Sequence, residues 1–240
     1  MSRLWAISDL HLSFGRPDRR DRYAGRWHDH AARIERAWHD TVHPDDVVLL
    51  PGDLSSARNH REVQPDLEWL GGLPGIKVLA PGNHDRWWNG PAPVRRILRR
   101  GMIAVDGDAA EVGDRIVCGA RGAPVLTEDA ETPARLAENR ESAVLESALA
   151  HADRLRNGTD RPIYVLWHFP PFDPHGRASS YVDRFERAGI RACVYGHLHI
   201  QSQWSTAVQG TIRGIRYHCV AADALGFRPL RIEGPTCQVR

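Results

Sequence analysis

An α/β fold built on a parallel sheet is predicted by three observations in this 240-residue sequence. Short, almost wholly apolar runs, among them Asp46–Leu50 and Ile76–Ala80, read as strands covered on both faces. Each is followed by a stretch at helical spacing, about 63–73 and about 93–100, and this alternation predicts parallel strands joined by helical crossovers. Most tellingly, run after run ends in an Asp, Asn or His, as expected where ligands gather at the carboxyl ends of parallel strands.

Composition bounds the answer. A chain of this length removes roughly 70% of its unfolded surface from water, enough for a dry core and a cleft. With no linker, low-complexity tract or fixed repeat, residues 1–240 read as a single domain. A net charge of +2 gives no field that argues for a nucleic-acid partner. Of 32 lysines and arginines only Lys77 is lysine, so arginine enrichment is general and singles out no phosphate contact. Cys118, Cys193, Cys219 and Cys237 stand far apart without a C-x-x-C and read as reduced, mostly buried thiols. No apolar run reaches the length of a membrane span, and Asp9 and His11 cut the N-terminal apolar stretch too short for a signal core. The expectation is a cytoplasmic protein with no membrane partner; oligomeric state is not legible.

Taken in order, Leu4–Ile7 is a strand that delivers Asp9 and His11 at its end. The Arg-rich segment Gly15–Arg26 reads as a solvated loop, and Trp27–Val42, with Ile34, Ala37 and Trp38 at helical spacing, as an amphipathic helix. The strands 46–50 and 76–80 break at Pro51-Gly52-Asp53 and Pro81-Gly82-Asn83. In each, proline ends the ladder, glycine permits a sharp turn, and the next side chain is thrown over the strand end. Met102–Val105 and Arg115–Cys118 flank Gly-Asp turns and read as the two arms of a hairpin. Thr132–Arg156 is a long helix stopped by Asn157-Gly158, in a charged insertion spanning Thr127–Arg156 to which the sequence assigns no role. Ile163–Trp167 is a strand ending at His168, Tyr181–Ala188 a short helix, and Ala192–Tyr195 a further strand; beyond Ile200 the pattern is β-rich.

That last strand runs into Gly196-His197-Leu198-His199, where residues i and i+2 of extended chain project to one side. One such pair is weak evidence. His28 and His30 share the spacing and read as solvated helix residues. What lifts the later pair is the number of strand ends that converge on the same chemistry: Asp9, His11, Asp53, Asn83, His168, His197 and His199. These are too many donors for one ion and about enough for two, and Asp53, with two carboxylate oxygens, is the natural shared ligand.

The motif order Asp9-x-His11, Gly52-Asp53, Gly82-Asn83-His84-Asp85, His168 and Gly196-His197-x-His199 resembles the calcineurin-like metallophosphoesterase superfamily, over residues 4–200. The resemblance implies a four-layer α/β/β/α sandwich and two divalent transition-metal ions, Mn, Fe, Ni or Zn. It implies that Asp9, His11, Asp53 and His199 hold one ion, and Asp53, Asn83, His168 and His197 the other. The nucleophile it implies is a hydroxide bridging the two ions, attacking a small phosphate-ester substrate. His84 is expected beside the leaving-group oxygen as a catalytic residue that stabilises the developing charge or donates a proton, with Asp85 orienting it. Arg86, Arg121 and His175 are candidate rim contacts, and Trp87 with Trp88 a candidate stacking wall, although core packing is the more ordinary fate of a tryptophan. Ser8-Asp-Leu-His-Leu12 differs from the Gly-Asp-x-His-Gly of protein phosphatases and is similar to the opening of small phosphodiesterases. A soluble phosphodiesterase is therefore preferred. A phosphomonoesterase or a UDP-sugar-lipid pyrophosphatase is the alternative, and a nuclease or a scaffold without chemistry is disfavoured.

Overall fold

The computed structural model describes residues 2–19, 25–126 and 133–233. Two sheets lie face to face. The first has the order β11-β1-β2-β3-β4 and consists of β1 (Leu4–Ala6), β2 (Val47–Pro51), β3 (Ile76–Ala80) and β4 (Met102–Ala104), all parallel, with β11 (Leu230–Arg231) antiparallel at the edge. In the second, β6 (Arg115–Ala120), β7 (Ile163–Trp167), β8 (Ala192–Tyr195) and β10 (Ile215–Cys219) run parallel, flanked by antiparallel β5 (Asp108–Val112) and β9 (Gly210–Ile212).

The two-residue period of the strands sorts their side chains into three cores. Leu4, Ala6, Val47, Leu49, Val78, Tyr164, Leu166 and Val194 meet between the sheets. Their alternating neighbours Trp5, Val48, Leu50 and Leu79 face outward against Ile34 and Trp38 of α1 (His30–Thr41) and Val63, Leu67 and Leu70 of α2 (His60–Gly72). Across the molecule Ile163, Val165 and Trp167 pack on Leu145, Leu149 and Ala152 of α4 (Pro133–Arg156) and on Tyr181, Val182 and Phe185 of α5 (Ser180–Arg187). Helices, sheet, sheet, helices: the four layers are those the resemblance implies.

Local chemistry sets the helix starts. Asn59 Oδ1 accepts from the N–H groups of Arg61 and Glu62, so α2 begins three residues before the apolar periodicity does. Ser179 caps α5 in the same way through Tyr181 N–H. The helix after Asn83 is shorter than expected: α3 covers Pro91–Arg95. A single turn of helix, α6 (Gln201–Trp204), precedes the β-rich end.

The expected hairpin is corrected. Met102–Ala104 pairs in parallel with β3 of the first sheet, and the arm opposite β6 is Asp108–Val112. The chain crosses between the sheets at Asp106-Gly107, and apolar pattern cannot tell which sheet a strand will join. His30, expected in solvent, is buried, with its Nδ1 3.1 Å from the Trp27 carbonyl, and its helix starts there instead of at Trp27. Arg16, placed in the solvated loop, is buried and paired with Asp18 and Glu62. Cys118, Cys193 and Cys219 are free and buried; residues 20–24, 127–132 and 234–240, Cys237 among them, lie outside the described residues.

Candidate metal centre

The carboxyl ends of β1, β2, β3, β7 and β8 open on one side of the two sheets, and the seven expected donors all lie in the turns that follow them. These turns are sharply bent. Asp9, His11, Asp53 and His197 have φ of 57°, 43°, 53° and 70°, the left-handed region that non-glycine residues avoid without a compensating reason. The turns also press against one another. A Cβ on Gly82 would collide with the Asp53 carboxylate, and one on Gly196 with the Asp9 carboxylate and the Ser8 hydroxyl. Glycine at these two positions is therefore what lets turns from different strands share one cavity.

Asp9, His11, Asp53 and His199 each present a donor atom, all within 4.8 Å of one another. His11 Nε2 stands 3.1 Å from His199 Nε2 and 3.7 Å from Asp53 Oδ2, and His199 Nε2 lies 3.2 Å from Asp9 Oδ1. A second set adjoins the first. Asn83 Oδ1 lies 2.8 Å from His168 Nε2 and 3.0 Å from His197 Nδ1, and His168 Nε2 is 3.6 Å from Asp53 Oδ2. Donors sharing one ion at about 2.1 Å stand about 3.0–3.4 Å apart at square or tetrahedral angles. The observed separations, 2.8–3.7 Å, bracket this range, and the mixed imidazole and oxygen donors suit transition-metal ions.

Neighbouring groups fix the proton positions that coordination requires. His168 Nδ1–H donates to the Pro51 carbonyl at 3.0 Å, which leaves its Nε2 lone pair facing Asn83 and Asp53. Asp9 accepts from Ser8 Oγ–H and from the His197 amide at 3.2 and 3.1 Å, and Asp53 Oδ1 accepts from the His84 amide at 2.7 Å. Burial would raise the Asp9 carboxyl, but the hydrogen bond with His199 and the charges of His168, His199 and His11 hold it well below the carboxylate range. Burial likewise pushes His11 and His168 down, and His197 down to about 4, keeping these imidazoles neutral and ready to ligate.

Sequence reasoning missed two side chains here. Asp223, 1% exposed, places Oδ1 3.4 Å from His199 Nδ1. Burial lowers the His199 pKa, yet the adjoining carboxylates of Asp223 and Asp9 carry it up to about 10. Trp27 packs edge-on to both His11 and His199, with ring centroids 5.7 Å from each. Asp223 follows the apolar run Val220–Ala222, and a carboxylate at one more strand end was the signal that could have found it.

The substrate-side expectations divide. His84 is half-buried with its ring 5.5 Å from His11, at the edge of the donor cluster. Asp85 does not orient that ring: its oxygens accept from Leu54, Ser55 and Gly82 N–H and from Trp87 Nε1, at 2.9–3.0 Å, tying the turn after β3 to the turn after β2. Burial and the Asp53 charge push its pKa up to about 6. Trp87 is 1% exposed and cannot offer a face to a ligand; its half-buried neighbour Trp88 lines a cleft instead. That cleft, about 920 Å³, starts at Asn83 and includes Arg86 and Arg121 in its walls. A separate apolar cavity of about 300 Å³ lies by His197, lined by Phe169, Phe172, Leu198 and Val208. His175 is exposed on a turn and lines neither.

Comparison with known proteins agrees with this geometry. Curated relatives are the Gene 66 proteins of Mycobacterium phages L5 and D29, each 36% identical over 96 residues. That stretch is 40% of this chain and 44% or 45% of theirs, so the match spans less than half the length of either relative. Among solved structures, TT1561 of Thermus thermophilus aligns with a TM-score of 0.53 at 17% identity over 83% of each chain. A protein of unknown function from Aquifex aeolicus aligns at 0.50 and 14%, over 96% of this chain and 95% of its own. These two establish likeness of fold. The family model for calcineurin-like phosphoesterases matches residues 2–201, which takes in every strand-end donor from Asp9 to His199, and this chain belongs to that family.

Proposed function

We propose that the chain is a two-metal phosphodiesterase. One observation carries this reading: Asp53 Oδ2 lies 3.7 Å from His11 Nε2 and 3.6 Å from His168 Nε2, between two donor sets that share no other residue. A carboxylate so placed is suited to bridge two ions. Bound there, a pair of Mn, Fe, Ni or Zn ions would neutralise phosphate charge and supply hydroxide at neutral pH. The hydrolysis adds water across a P–O bond, oxygen going to phosphorus and a proton to the departing oxygen. In this reading Asp9, His11 and His199 hold one ion and Asn83, His168 and His197 the other. His84 at the cluster edge donates the proton to the leaving oxygen, its backbone fixed through the hydrogen bond its amide N–H donates to Asp53 Oδ1 and the ties of Asp85. Retention of all seven donors argues against a scaffold that has lost its chemistry. The test is turnover of bis-(p-nitrophenyl) phosphate and of p-nitrophenyl phosphate with added Mn²⁺. Faster diester cleavage is expected; faster monoester cleavage would make it a phosphomonoesterase, and no turnover of either with any transition metal would overturn the enzyme reading.

A further inference from the structure

The large cleft beside Asn83 differs from the apolar cavity by His197 in the charge of its walls. Its acidic groups are committed. Asp106 accepts the Trp88 indole N–H at 2.9 Å, and Glu141 accepts from Arg121 at 2.6 Å and from Gly122 N–H at 3.2 Å. Arg86 and Arg140 line the same cleft, are exposed, and have no carboxylate partner among the described residues. The cleft is thus cationic where it is open, apolar along the Trp88 ring, continuous with the donor cluster at Asn83, and within the size range of small-molecule sites. Arg140 comes from α4, the element of the charged insertion that the donor cluster does not use.

Resting on the phosphodiesterase reading, we infer that this cleft holds one arm of the substrate, and that the arm carries a second anionic group, a phosphate or carboxylate, recognised by Arg86 and Arg140. Guanidinium groups suit such oxyanions through paired N–H donors. The insertion then has a role: α4 closes one wall of the site and selects among esters by charge.

Two chromogenic diesters with the same leaving group test this, thymidine 5′-(p-nitrophenyl phosphate) and its 3′-phosphorylated form. The wild-type protein loaded with Mn²⁺ should favour the 3′-phosphorylated ester by about tenfold or more in kcat/KM, chiefly through KM, as expected for one charged hydrogen-bonded contact. Arg140→Gln should erase most of that preference and leave the unphosphorylated ester unchanged, while Arg140→Lys should keep part of it. Equal kcat/KM for the two esters in the wild type, or a preference that survives in Arg140→Gln, would overturn the inference while leaving the phosphodiesterase reading intact. Absence of turnover on bis-(p-nitrophenyl) phosphate would strike that reading instead, and the inference with it.

Discussion

The two halves of the donor cluster are built differently. Around His11 three of the four donors are buried and two of those are carboxylates: Asp9 and Asp53 are fully buried and His11 is 3% exposed, while His199 is half-buried. On the other side His168 is fully buried, but its partners are the neutral amide of Asn83, which is exposed, and the half-buried His197, both bordering open cavities. Beyond the shared Asp53, the buried half adds the formal charge of Asp9, whereas the open half adds only neutral donors and gives solvent a path. The difference teaches that the two ions of the proposed centre should not be held alike. The half with Asn83 should bind more weakly and exchange faster, and it faces the cleft where substrate would enter.

The largest effect should follow loss of what the halves have in common. Asp53→Asn removes the shared charge and should abolish turnover together with binding at both positions, whereas His11→Ala or Asn83→Ala should each damage chiefly one. Next, His84→Ala should keep the metals and lower kcat by about 10²–10⁴-fold, with the deficit shrinking as the leaving group becomes more acidic. An equal deficit across aryl and alkyl esters would leave His84 without a proton to give. Graded chelation sharpens the contrast further. Titration with a weak chelator should remove one equivalent before the other, and Asn83→Ala should abolish the early step. Because binding stabilises only the folded chain, saturating metal should raise the melting temperature by about 5–10 °C; coincident apo and holo melts would count against a converged site.

The smallest effect lies outside the cluster. Burial pushes the His218 imidazole down to about 4, so the folded chain resists a proton that the unfolded chain accepts near 6.5. Stability from this residue is present above about pH 6.5 and is lost as pH falls through that window, by at most about 3 kcal/mol. His218→Phe should flatten the fall in melting temperature between about pH 6.5 and 4. An unchanged slope would show that other groups carry it.

Much of this was legible in the sequence for a physical reason. A strand covered on both faces needs an unbroken apolar run, and Val47–Leu50 and Ile163–Trp167 announce themselves so plainly that the residue ending each run stands out. The donors followed from that. Partnership was harder to read, because it depends on which sheet a strand joins and on contacts between distant turns. Met102–Ala104 looked like a hairpin arm and is a parallel strand of the other sheet. Trp87 and Trp88 are indistinguishable by type, yet the turn bends one into the core and leaves the other on the cleft. Asp223 ends an apolar run as the other donors do, but its approach to His199 depends on how that segment folds back, and Arg140 is one arginine among many until α4 folds over the cleft.

The central claim, a two-ion centre joined by Asp53, meets its most direct test in metal content per chain by elemental analysis, after equilibration at fixed free Mn²⁺. The wild type should hold two equivalents, Asn83→Ala about one, and Asp53→Asn neither at wild-type affinity. A single equivalent in the wild type at saturation, or two held as tightly in Asp53→Asn, would contradict it.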